Sequence, residues 1–148
     1  MKTIIFSIAM VLNTLFAQAQ IETPVKWAYA AKKISNKEAI IYLKATIDKG
    51  WHIYSQNVQD GGPVKTSFSF VKSNDFFLTG KPVEPQPKKK FEKAFDMNVA
   101  YFENTVIFQQ KVKLNDNLKP VIKGTLTYMA CSNKECLPPE EVEFSVAL

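Results

Sequence analysis

The chain's only two cysteines, Cys131 and Cys136, fall in the stretch Thr125-Leu-Thr-Tyr-Met-Ala-Cys131-Ser-Asn-Lys-Glu-Cys136-Leu-Pro-Pro-Glu140. Four residues separate them, a spacing that lets the sulfurs meet in a disulfide, and neither sits in a regular element that would hold them apart. Two chemistries suit such a pair. A structural disulfide is common in exported proteins. In the chain-entropy account, however, closing a loop of about six residues contributes only about 2 kcal/mol, against about 4 or more for a bridge between distant strands. Reversible thiol-disulfide exchange is the other chemistry, because both thiols stay together after reduction and the bond re-forms without refolding the domain. Residue chemistry alone leaves both open.

Other uses of the cysteines fit less well. A structural zinc site takes four Cys or His ligands, whereas the chain offers two cysteines and the single His52, so no metal is expected. A Cys-His hydrolytic nucleophile would need His52 beside a cysteine and an oxyanion hole, and nothing near either residue signals a nucleophile turn. Flanked by Trp51 and Ile53, His52 reads as a packed strand residue. No cofactor is expected.

Residues 1–19 read as a secretory leader: Lys2 gives a charged start, Ile4 to Phe16 are mostly apolar, and Ala17-Gln-Ala19 supplies a small-x-small cleavage site. Ser7, Asn13 and Thr14 interrupt the apolar run, and no later stretch approaches the roughly 20 apolar residues of a membrane span. No cysteine follows the cleavage site to carry a lipid. The expectation is an exported domain over residues 20–148, without membrane insertion after cleavage and large enough to bury one core. The 19 basic residues are all lysine against 14 acidic ones. Without arginine, the usual bidentate reader of phosphates and base edges, nucleic acid is not an expected partner.

The elements that position the cysteines are strands. Ile41, Leu43, Ala45 and Ile47 alternate with Tyr42, Lys44 and Thr46; Asp48-Lys-Gly50 breaks the run, and Trp51-His-Ile-Tyr54 again suits a strand. Gln59-Asp-Gly-Gly-Pro63 is a loop. Thr66, Phe68 and Phe70 alternate with polar residues, Phe76 to Val83 is a weaker strand, and Lys88 to Asp96 is the least regular segment, three lysines in a row reading as a solvated loop that nonetheless carries Phe91 and Phe95. Val106, Phe108, Val112 and Leu114 give another inward face, Asn115-Asp-Asn117 turns the chain, and Ile122, Leu126, Tyr128 and Ala130 lead to Cys131. Val142, Phe144, Val146 and Leu148 form the last face. Seven to nine short strands at this spacing predict an all-β antiparallel sandwich.

With these residues in view, the chain resembles the periplasmic N-terminal domain family of the thiol:disulfide interchange protein DsbD, over nearly all of its mature length. The most specific likeness is Tyr128-Met-Ala-Cys131 followed by Cys136-Leu-Pro-Pro-Glu140. Gly50-Trp-His-Ile-Tyr54 and Val99-Ala-Tyr101-Phe add to it. The chain has four residues between its cysteines where better-known members have five.

The resemblance implies an immunoglobulin-like sandwich in the periplasm that serves as a protein-disulfide reductase component. In it, the cysteine pair takes electrons from a membrane thiol-disulfide electron transporter and passes them to thioredoxin-like periplasmic proteins. It implies Cys136 as the thiol that forms mixed disulfides and Cys131 as the one that resolves them. It also implies a pocket including Tyr54 and His52, and a cap over Phe91 to Asp96 with Phe95 as the main shield. Familiar members continue into membrane and thioredoxin-like domains, so a chain ending at Leu148 is expected to carry electrons in trans. The competing reading is a noncatalytic binding sandwich whose disulfide stiffens one edge loop.

Overall fold

The computed structural model describes residues 23–115 and 119–148. The leader read at residues 1–19 lies outside them, as does most of the turn read at 115–117. Among the described residues there are eleven strands: β1 (Val25–Ser35), β2 (Glu38–Ile47), β3 (Trp51–Tyr54), β4 (Ser67–Phe70), β5 (Phe76–Val83), β6 (Lys88–Glu92), β7 (Met97–Phe102), β8 (Thr105–Leu114), β9 (Val121–Tyr128), β10 (Ala130–Ser132) and β11 (Glu140–Ala147). All pairings are antiparallel, in the orders β1-β2-β8-β5, β11-β9-β4 and β10-β3-β7-β6. The fold is an all-β, immunoglobulin-like sandwich.

Alternation builds the sandwich. On β8 every second residue from Val106 to Leu114 is buried while Lys111 and Lys113 face out, and β2 buries Ala39, Ile41, Leu43, Ala45 and Ile47 in register with it. The facing sheet supplies Ile122, Leu126 and Tyr128 from β9 and Phe144 and Val146 from β11. Aromatic rings bind the layers: Trp27 lies 6.2 Å from both Phe68 and Phe108 and 5.6 Å from Tyr128, while Phe144 lies 5.4 Å from both Tyr29 and Phe70. Gly124, paired with Phe144 on one side and Phe70 on the other, has no room for a side chain, because a Cβ there would overlap the Phe144 ring and the Ser69 carbonyl oxygen.

Two changes of sheet create the site. At Asp48–Gly50 the chain turns, with Gly50 at φ 87° and the Trp51 amide donating to the Asp48 carbonyl at 3.1 Å. It thereby leaves the β2 sheet and enters β3 of another. At Met129 the chain passes from β9 into β10, so the run read as one strand delivering Cys131 is two, paired to different sheets.

Three expectations need correction. The strands number eleven among the described residues, because such changes of sheet divide runs that look continuous. β1 did not stand out, since exposed Ala28 and Ala30 blur the alternation of Val25, Trp27, Tyr29 and Ala31 with lysines. Lys88–Glu92, read as a solvated loop, is strand β6, hydrogen-bonded along β7 from Lys88↔Tyr101 to Glu92↔Met97. Lysines on both of its faces conceal the period of two.

Candidate functional site

Cys131 and Cys136 are joined by a disulfide. They are directly opposed in a small hairpin whose backbone bonds lie on either side of them, from the Ser132 amide to the Glu135 carbonyl (2.7 Å) and from the Leu137 amide to the Ala130 carbonyl (2.9 Å). Opposed residues that make no ladder bonds themselves sit closest in an antiparallel pair, and the two Cα atoms are 4.0 Å apart. The Ser132 hydroxyl oxygen shapes the turn by accepting from the Lys134 and Glu135 amides, both at 3.2 Å. Four residues between the cysteines therefore suffice to close the hairpin. Below the pair, Leu137 packs on the main core, and the Tyr128 hydroxyl donates to the Glu140 carboxylate at 2.5 Å across the β9–β11 pairing. Burial, then the hydrogen bond and charge of Glu140, hold the Tyr128 hydroxyl well above the ordinary tyrosine range. In the motif Tyr128-x-x-Cys131…Cys136-x-Pro-Pro-Glu140, the outer residues thus tie the base of the hairpin that carries the inner ones.

The sheet β10-β3-β7-β6 is buried on both sides at β3. Registers Ala130↔Ile53 and Ile53↔Phe102 place these residues on one face, where with Trp51 they join the main core. Registers Cys131↔His52 and Tyr54↔Tyr101 place the alternate residues on the other. There Cys131, fully buried, clusters with Tyr54 and Val99, and Val58, Met97, Tyr101 and Met129 pack against them. Cys136 is exposed. The loop at 59–63 also contributes, because a Cβ on Gly62 would collide with Met97 Sδ and Val58.

A charged network occupies the same face. His52, 4% exposed, has Nε2 3.2 Å from Tyr54 Oη and 3.5 Å from Glu92 Oε2. The Tyr54 hydroxyl donates to Glu92 Oε2 at 3.3 Å, and Lys90 Nζ lies 2.9 Å from the same oxygen and 5.1 Å from the centre of the Tyr101 ring. Since Tyr54 gives its single proton to Glu92, Nε2–H of His52 is the donor to Tyr54 Oη, which assigns the neutral tautomer with Nδ1 bare. Burial, then the Lys90 charge, push the imidazole below its ordinary value, against the opposing pull of Glu92 and Glu103. Burial, reinforced by the Glu92 charge and hydrogen bond, holds the Tyr54 hydroxyl far above its usual range, so it stays a donor. For Glu92 burial pushes upward, but Lys90, His52 and Tyr54 together outweigh it and leave the carboxyl below its usual value.

Of the residues singled out in the sequence, His52 and Tyr54 lie on the Cys131 face. Phe91 does not: paired with Asn98, it alternates away from Lys90 and Val99 to the opposite face and is 55% exposed. Phe95 is half-buried in the turn joining β6 to β7, where its amide donates to the Glu92 carbonyl at 3.1 Å and Asp96 takes φ 52°. Lys90, Met97 and the packing role of Tyr101 were missed, and Glu92 was read only as part of the cap over Phe91 to Asp96. The alternation Met97, Val99, Tyr101 was the available signal, and it finds its partners only once β6 is recognised as a strand. Among the described residues no group of three or more His, Cys, Asp or Glu side chains is placed to hold a metal ion, and no helix is long and apolar enough to cross a membrane.

The fold and site are those of an immunoglobulin-like sandwich that carries one disulfide in an edge hairpin, half buried against a second small core. The sequence model of the family described as thiol:disulfide interchange protein DsbD, N-terminal, matches residues 18–148, and the chain belongs to that family. Its disulfide accords with the thiol-disulfide exchange of that family. The fold is similar to the reduced DsbD N-terminal domain of Neisseria meningitidis (16% identity, 82% of this chain and 84% of that one, TM-score 0.53). It is also similar to the N-terminal periplasmic domain of ScsB from Proteus mirabilis (21% identity, 84% of this chain and 44% of that one, TM-score 0.54). A third similar structure is the complex between the DsbD and PilB N-terminal domains of Neisseria meningitidis (15% identity, 85% of this chain and 87% of that one, TM-score 0.54). No curated protein matches the chain in sequence.

Proposed function

We propose that the domain, directed to the periplasm by a leader at residues 1–19 that is then removed, carries reducing equivalents from a membrane thiol-disulfide electron transporter to thioredoxin-like proteins. The observation that supports this best is the asymmetry of one cross-strand pair, in which Cys136 is exposed and Cys131 is fully buried. In the reduced domain the Cys136 thiolate attacks a partner disulfide and releases one partner thiolate. Cys131 then attacks Cys136 Sγ, which re-forms the internal disulfide and releases the second partner thiol. The two electrons of the dithiol end on the partner, and the transporter restores them. The solved complex between the DsbD and PilB N-terminal domains of Neisseria meningitidis supports a protein partner of this kind. Phe95, in the β6–β7 turn, is the residue proposed to cap the pair between encounters.

Cys131→Ala should accumulate a mixed disulfide with a thioredoxin-like protein and Cys136→Ala should not; the opposite pattern exchanges the two roles. A reduction potential well below about −300 mV, or loss of tertiary signal on reduction, would instead mark a structural bond. Reduced Phe95→Ala should be alkylated several-fold faster than the native domain, while Phe91→Ala, altered on the other face, should match the native rate.

A further inference from the structure

The resolving thiol has a difficulty of its own. Cys131 is fully buried, among Tyr54, Val99, Val58, Met97, Tyr101 and Met129. A thiol in apolar surroundings is a poor acid, yet only the thiolate attacks a disulfide. Glu135, Glu140 and Glu141 outnumber Lys134 around the hairpin and offer it no help. Water has little access to a sulfur in this position, so its proton needs an acceptor within the protein.

The register supplies one candidate base. His52 is the direct cross-strand neighbour of Cys131. Directly opposed side chains share a face with Cβ atoms about 4.5–5.5 Å apart. The groups facing the imidazole are Tyr54 on β3, Tyr101 on β7 at 5.4 Å between rings, Lys90 and Glu92 on β6, Glu103 after β7, and Cys131 on β10. Tyr54 and Glu92 engage Nε2, whereas Nδ1 makes no hydrogen bond among the described residues.

We propose that His52 is the proton acceptor for Cys131, taking the Sγ–H proton on Nδ1 as Cys131 attacks Cys136 in the mixed disulfide. This rests on the exchange reading above. In the step, the Cys131 S–H bond breaks and an Nδ1–H bond forms. The sulfur electron pair makes the Cys131–Cys136 bond, and the Cys136–partner bond breaks with its pair leaving on the partner thiolate. The imidazolium then returns its proton to that thiolate or to solvent. Glu92, held ionised by Lys90, steadies the transient imidazolium by its charge, 3.5 Å from Nε2, and acts as a positioning residue. Burial keeps the resting ring neutral and therefore able to accept.

The test separates the two thiols in time. Reduced protein mixed with one equivalent of 5,5′-dithiobis(2-nitrobenzoate) releases one coloured thiolate when Cys136 is modified and a second when Cys131 resolves the mixed disulfide. With a base beside Cys131, the native second phase is level across neutral pH and falls only as pH drops through the folded value of the imidazole, which lies below its ordinary one. In H52Q, whose amide can still bond Tyr54, the second phase is about tenfold or more slower at pH 7 and climbs about tenfold per pH unit, while the first phase stays within about twofold. Equal second phases in native and H52Q protein, or a native second phase that climbs steadily through neutral pH, overturn the proposal. The native profile decides even if H52Q does not fold. Failure of the native protein to form a mixed disulfide at Cys136 would instead count against the exchange reading, whereas a normal first phase with no His52 effect removes this inference alone.

Discussion

Trp51 and Ile53 leave β3 on one side and His52 and Tyr54 on the other, and the two sides of this strand serve different ends. The inner face continues the sandwich core through Phe102, which meets Phe108 edge-on at 5.7 Å. The outer face holds a small second core in which each aromatic has a polar edge and each charge a partner. Apolar packing carries stability without directing charge, whereas a hydrogen-bonded network at low dielectric fixes protonation states. The comparison therefore teaches that a period of two can allot core packing to one set of residues and a hydrogen-bonded network beside the disulfide to the set between them.

The largest expected effect lies on the inner face. Ile53→Ala should lower unfolding stability by about 2–5 kcal/mol in a denaturant titration, through lost burial and a cavity. Folded molecules of this variant should exchange thiols at the native rate. Tyr54→Phe, one residue on, should cost about 1 kcal/mol, since it removes one hydroxyl from the network. Similar losses for the two would erase the distinction between the faces.

Removing the disulfide comes next. Reduction should lower stability by about 2 kcal/mol, the value for so short a loop, and leave the near-UV signal of the core unchanged. A drop twice as large would mean that the outer face also carries the fold. Gly124→Ala, far from the sulfurs, should cost about 1–3 kcal/mol by overpacking against Phe144, without altering the reduction potential.

The smallest effects are those of pH, and they belong to the outer face. His52 binds its proton less tightly folded than unfolded, so its contribution is complete above about pH 6.5 and is lost as pH falls from there toward the folded value. Glu92 has a lowered folded value, so its contribution is complete above about pH 4.3 and is lost as pH falls through that lowered value. Melting temperatures between pH 8 and 3 should show both declines, with His52→Gln removing the upper and Glu92→Gln the lower. An unchanged upper decline in His52→Gln would mean that another group titrates there.

The same contrast explains what could be read in the sequence. β2, β8 and β11 were legible because apolar residues on one face alternate with a face that is mostly polar or charged. The cysteine pair was legible because the chain has no other cysteine and the spacing is specific, whereas His52 and Tyr54 entered the reading of the pocket only through the likeness of Gly50-Trp-His-Ile-Tyr54 to the family. β6 was not, because Lys88, Lys89 and Lys90 fall on alternate faces and cancel the pattern. With β6 unread, Lys90 and Glu92 had no place beside His52. Nor does Trp51-His-Ile-Tyr54 disclose that both sides of β3 are buried, since that depends on the strand switch at Met129, which lays β10 along β3.

The clasp between Tyr128 and Glu140 bears on how long any encounter with a partner lasts. By fixing the base of the hairpin, with Leu137 anchored in the core beneath it, the clasp should keep the two sulfurs neighbours after reduction as well. Each thiol therefore faces the other at a local concentration above the millimolar range of a short flexible tether. On the proposed exchange, an incoming thiol must compete with that internal rival, so a mixed disulfide at Cys136 should be short-lived. Loosening the base with Glu140→Gln should lengthen its lifetime while both cysteines remain in place.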